Sequence, residues 1–97
     1  MAYRLTRKAA EDIADIYREG NHQFAPRQAD AYHNLLEKTF RFLAENPLAL
    51  RKREELSPAV RIHPVQSHLV IYQLDDDGDI LVIRIRHTHE DWAEGQT

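Results

Sequence analysis

Cysteine is absent from this 97-residue chain, which removes disulfides, thiolate nucleophiles and thiolate zinc sites together. The fold therefore needs no oxidising compartment. Glycine and proline are scarce, at three and four residues, so the composition is neither collagen-like nor that of a low-complexity disordered chain. No apolar run approaches the roughly 20 residues of a membrane span, and Met1 to Lys8 lacks the apolar core of a signal peptide. The cytoplasm is the expected location, with no membrane partner. Strong positive charge is missing too: the formal net charge is −3, whereas proteins that live on nucleic acid neutralise about 6–10 phosphates. Direct sequence-specific nucleic-acid binding is not expected.

What is present is an ordinary globular composition, 42% hydrophobic and 30% charged, at a length that allows one core and one domain over residues 1–97. Ala2 to Leu5 suits a short first strand, with Thr6 placed to cap a helix. From Arg7 to Glu19, Ala9, Ile13, Ile16 and Tyr17 fall on one helical side, and Gly20-Asn21 reads as the stop. Pro26 suits the first turn of a second helix, in which Ala29, Tyr32, Leu36, Phe40 and Leu43 form the stripe and Leu35 and Phe42 widen it, until Asn46-Pro47 ends it. The short link between the helices implies an antiparallel helical hairpin. Residues 47–58 read as a connector, and Val60 to Val65 as a short strand that Pro64 assigns to an edge or a bulge.

The last third carries the strongest pattern. Two β-rich runs, His68 to Tyr72 and Ile80 to His87, flank the acidic turn Asp75-Asp-Asp-Gly78-Asp79. A two-residue Asp77-Gly78 turn pairs Leu74 with Leu81, Tyr72 with Ile83 and Val70 with Ile85 as one apolar core face. The other face then pairs Gln73 with Val82, Ile71 with Arg84 and Leu69 with Arg86. The fold class is α+β: a helical hairpin on a four-stranded, mostly antiparallel sheet, in the order β-α-α-β-β-β.

This order resembles the RelE/ParE toxin superfamily over essentially the whole chain, and ParE-like toxins of type II toxin–antitoxin systems most closely. The resemblance rests on Ala9-Ala10-Glu11-Asp12-Ile13 with Ile16-Tyr17, on Pro26 and Ala29, and on Leu43-Ala44-Glu45-Asn46-Pro47. Val60-Arg61, His68-Leu69-Val70-Ile71-Tyr72, Asp75-Asp76-Asp77-Gly78 and Ile83-Arg84-Ile85-Arg86-His87 complete it. The ending departs from the common ParE pattern, because Thr88-His89-Glu90 intervenes before Asp91-Trp92.

The resemblance implies a bacterial, plasmid-stabilising toxin that inhibits DNA gyrase by protein–protein binding, without cofactor or turnover. A ParD-like antitoxin would neutralise it within a hetero-oligomer. The helical stripe is first of all core, and its margin at Tyr17, Phe24, Tyr32, Leu35 and Phe42 is assigned to the antitoxin as a helix-in-groove surface. Arg84, Arg86, His87, His89 and Trp92 are assigned to the target, Trp92 being the only tryptophan.

The alternative within the superfamily is a RelE-like, ribosome-dependent mRNA endonuclease using Arg61, Arg84, Arg86, His87 and His89, with Glu54 or Glu55 available. Its chemistry needs a base, an acid and phosphate-stabilising cations, but strand alternation points His87 away from Arg84 and Arg86. A third alternative is an inactive module member that only binds its antitoxin. His87 and His89 with Glu90 or Asp91 have strand spacing for a metal, yet two histidines near a strand end arise easily by chance, and no metal is expected there. The acidic turn lacks the distal Glu of a calcium loop and reads as a solvated hairpin tip.

Overall fold

In a computed structural model of the chain, residues 2–23 and 26–88 are described, the side chains of 21–23 excepted. The elements are β1 (Tyr3–Leu5), α1 (Arg7–Gln23), α2 (Pro26–Glu45), β2 (Arg61–Val65), β3 (His68–Leu74) and β4 (Ile80–His87). The expected order β-α-α-β-β-β is thus the observed one. The sheet runs β1-β4-β3-β2 and is mixed, because β1 lies parallel to β4 while the other neighbours are antiparallel. β2 is an edge strand, the first of the two placements, edge or bulge, that Pro64 allows. Its outer side is closed at one end by Arg53, whose N–H donates to the carbonyl of Val60 at 2.7 Å.

Both helices start where the sequence placed them. Thr6 caps α1: its Oγ accepts the N–H of Ala9 at 3.1 Å and its hydroxyl donates to the carbonyl of Ile83 at 2.7 Å, so one side chain joins the helix start to β4. The expected stop at Gly20-Asn21 is corrected, since α1 runs on to Gln23. Gly20 serves helix packing instead. A Cβ there would lie 3.2 Å from the Cβ of Ala29, so the missing side chain lets α1 and α2 approach closely.

The core lies between the helices and one face of the sheet. Leu36, Phe40 and Leu43 of α2 and Ala9 of α1 pack against Val70, Tyr72, Ile80, Val82 and Ile85, all at most 3% exposed. Tyr3 packs its ring 5.3 Å from Phe40.

The hairpin register is right in one half and wrong in the other. Val70 faces Ile85, Ile71 faces Arg84 and Leu69 faces Arg86, as expected. The expected pairs Leu74 with Leu81, Tyr72 with Ile83 and Gln73 with Val82 are replaced by Leu74 with Ile80, Tyr72 with Val82 and Gln73 with Leu81. Two irregularities cause this. The turn is not the two-residue Asp77-Gly78: Asp75 N–H donates to Asp79 O at 2.8 Å and Gly78 N–H to Asp75 O at 3.1 Å, with Gly78 at φ 85°, a three-residue loop with a left-handed glycine. That loop slips the register by one residue, and a bulge at Ile83 slips it back. The buried positions of β4 are therefore Ile80, Val82 and Ile85, and the expected core residues Leu81 and Ile83 are only half-buried.

Candidate functional site

β1 has only three residues and pairs with Ile80, Leu81 and Val82. Among the described residues, no strand lies beside the rest of β4 on that side, and α1 takes up the position. Asp12 of α1 accepts the N–H of Ile85 at 3.0 Å, acting as a strand would, and holds the guanidinium of Arg84 at 2.8 and 3.1 Å. This two-pronged contact is the strong form of a carboxylate–arginine pair.

Beyond this clamp the helical hairpin and the sheet diverge around a cleft of about 540 Å³. Ile13, Ile16 and Tyr17 of α1 and Ala29, Tyr32 and Leu35 of α2 supply its apolar walls. The β2–β3 turn, Gln66-Ser67, closes its end together with His68 and His87, which are direct cross-strand partners. On one rim the Tyr17 hydroxyl donates to Asp30 at 2.5 Å, with its ring edge-on to His33 at 5.8 Å. At the strand end the Tyr32 oxygen lies 3.1 Å from the carbonyl of Val65 and 2.5 Å from Nδ1 of His68, and burial raises the phenol pKa above its ordinary value. The rings of His68 and His87 stand edge-to-face, 5.3 Å apart.

Three of the residues assigned to antitoxin contact, Tyr17, Tyr32 and Leu35, line this cleft. Phe42 does not: it is 45% exposed and stacks its ring 6.1 Å from His63 on another part of the surface. Phe24 lies outside the described residues, as do His89 and Trp92.

Of the target-contact residues, His87 faces the cleft beside His68, Arg84 is held by Asp12, and Arg86 is half-buried opposite Leu69.

Those of the residues named for catalysis that are described are not gathered. Arg61 is paired with Tyr72 on the helix side of the sheet and donates to the carbonyl of Leu50, whereas alternation puts Arg84 and Arg86 on the opposite side. Along the sheet, Arg61 and His87 are separated by the four-residue offset between Tyr72 and His68, roughly 13 Å of strand. Glu55 is exposed and bound to Arg53 at 2.6 Å. That hydrogen bond, helped by a backbone N–H and the charge of Arg51, holds its carboxyl below the ordinary value.

Sequence reasoning missed His68, Ser67 and Gln66 at the cleft end, and Asp12 as the clamp. Asp12 carried a readable signal, since it lies three residues from Ala9 and one from Ile13, at the border of the apolar stripe.

The fold and the cleft define a small toxin-like α+β protein. The family model described as ParE toxin of type II toxin–antitoxin system, parDE, matches residues 3–92, and the chain belongs to this family. Toxin ParE1 of Caulobacter vibrioides is 32% identical over 85 residues, which cover 88% of this chain and 86% of that protein. A solved structure of the chromosomal ParDE TA system from P. aeruginosa has the same fold, with a TM-score of 0.74 at 24% identity over 90% of this chain and 95% of that one.

Proposed function

We propose that this ParE-family protein poisons DNA gyrase by protein–protein contact, without chemistry of its own, and is neutralised by a ParD-like antitoxin whose apolar segment occupies the cleft. One observation carries the cleft assignment. Among the described residues, an apolar channel lies between two helices and a strand end, lined by Tyr17, Tyr32 and Leu35, where an amphipathic helix would bury its own apolar face. Gyrase contact is assigned to the end of β4, at Arg84, Arg86 and His87, and onward to His89 and Trp92. The dispersal of Arg61, Arg84 and His87 over two sides of the sheet supports the non-enzymatic reading over mRNA cleavage.

Expression of the chain alone in a bacterial host tests this directly. Loss of supercoiling activity and accumulation of cleaved gyrase–DNA complex are expected, and co-expression of the neighbouring antitoxin should restore growth. Ribosome-dependent mRNA fragments with supercoiling untouched would overturn the gyrase assignment. A harmless chain that still captures the antitoxin would identify an inactive module member.

A further inference from the structure

Both helices bury their apolar stripes on one side of the sheet, against Val70, Tyr72, Ile80, Val82 and Ile85. The other side is apolar as well. Strand alternation gives it Ile62 of β2, Leu69 and Ile71 of β3, and Leu81, Arg84 and Arg86 of β4. A sheet face turned to water is ordinarily polar. This one is shielded instead: Ile71 is 1% exposed, Nε of Arg86 is buried, and Ile62, Leu69 and Leu81 are half-buried. Among the described residues, the connector reaches this side at Gln73, whose amide donates to the carbonyl of Ala59 at 3.1 Å. Leu69, Ile71 and Arg86 lie further along the strands, toward Thr88.

Thr88, whose N–H donates to the carbonyl of Ser67 at 2.8 Å, stands in a turn at the end of β4. Residues 89–97 follow it. At about 3.3–3.6 Å each they span up to about 30 Å, whereas Ile71, which faces Arg84, is only about 13 Å of strand back from Thr88. The segment is long enough to turn back and reach it. Its composition fits too, with the single tryptophan Trp92, the carboxylates Glu90, Asp91 and Glu94, and no Lys or Arg, against a face that carries Arg84 and Arg86. This charge match acts through space and takes no donor from the contacts those arginines already make.

We propose that residues 89–97 fold back over the outer side of the sheet, seating Trp92 against Leu69 and Ile71 with the segment's carboxylates toward Arg84 and Arg86. Tryptophan brings a large apolar area to such a patch. A tether of a few residues also holds the segment at a high effective concentration, which favours it over a second copy of the chain. Arg84, Arg86 and Trp92, assigned above to the target, are thereby brought onto one surface, and the docking stands whether or not that assignment holds.

Because Trp92 is the only tryptophan, its fluorescence reports this segment alone. In the full chain, emission is expected at a shorter wavelength than in the urea-denatured chain, with weaker quenching by acrylamide, and neither should change on dilution. NMR of the parent chain should show NOEs from the Trp92 indole to the methyl groups of Leu69 and Ile71. Arg86→Glu and Leu69→Asp should each move emission and quenching toward the denatured values, while Lys38→Glu, at an exposed position of α2, should leave both unchanged. An indole as accessible in the native parent chain as in urea overturns the proposal, and so do NOEs to the cleft residues Ile13 and Leu35 in place of Leu69 and Ile71. Protection that disappears on dilution overturns it as well, by assigning the face to a second copy.

Discussion

The two ends of the β3–β4 hairpin use the same pair of strands in different ways. At the turn end, β1 covers β4, the rings of Tyr3 and Phe40 meet over Ile80, and the acidic turn is laced internally, with Asp75 accepting from Arg4 at 2.7 Å and from the N–H groups of Asp77 and Asp79 at 2.9 and 3.0 Å. At the opposite end, β1 is gone, a helix carboxylate stands in for the missing strand, and the apolar sides of α1 and α2 open onto His68 and His87. The difference teaches a division of labour within one small sheet: closure where the hairpin turns, and an open surface where its strands begin and end. Substitutions at the turn end should change stability without changing recognition, and substitutions at the cleft should change recognition more than stability.

The largest effect should come from Phe40→Ala at the closed end. Phe40 is 2% exposed, and truncating a buried Phe costs about 3–5 kcal/mol. Chemical denaturation should report a loss of that size, enough to threaten a domain of ordinary stability. A loss under 1 kcal/mol would show that the two ends are not distinct in packing. Next is Leu35→Asp in the cleft; because half-buried Leu35 also packs against the core, the denaturation midpoint should fall, though by less than for Phe40→Ala. The substitution should weaken antitoxin binding by about 1.5–3 kcal/mol, tenfold to about a hundredfold in Kd. Unchanged affinity in a folded variant would move the antitoxin away from the cleft.

Asp12→Ala probes the border between the two regions. It removes the acceptor of the Ile85 N–H and the partner of Arg84, both part-buried, and should cost about 1–3 kcal/mol. Hydrogen exchange should speed up locally at Ile85 and leave Ile80 and Val82 protected.

The smallest effect is at the turn and depends on pH. Desolvation works to raise the Asp75 carboxyl, but the bonds from Arg4 and from the N–H groups of Asp77 and Asp79 outweigh it and hold it below its ordinary value. The folded pKa thus lies below the unfolded one, about 3.9. The contribution is complete above the unfolded value and fades as pH falls through the lower folded value. Asp75→Asn should therefore flatten the acid dependence of stability below about pH 4, as read by denaturant midpoints across that range. A variant as acid-sensitive as the parent chain would remove Asp75 from the account.

The fold was legible because its signals are local and repetitive. The stripe from Ala29 to Leu43 read correctly as α2, bounds included, and of the edge or bulge that Pro64 signalled, the edge is observed. Gly20 misled because the propensity of a single residue cannot reveal that a second helix presses against it at Ala29. The upper half of the hairpin misled for a related reason: the bulge at Ile83 has no composition of its own, and only the burial of Ile80 and Val82 discloses it. The cleft was half legible. Tyr17, Tyr32 and Leu35 belonged to a visible helical margin, but His68 and Asp12 acquire their roles from contacts more than thirty positions away along the chain.

The bulge has a genetic consequence. Ile83 is the surplus residue of β4, since Ile71 faces Arg84 and Tyr72 faces Val82 with nothing opposite it. An in-frame deletion of Ile83 should therefore be nearly silent for the ladder: the two halves join without interruption, and Ile80, Val82 and Ile85 stay on the core face.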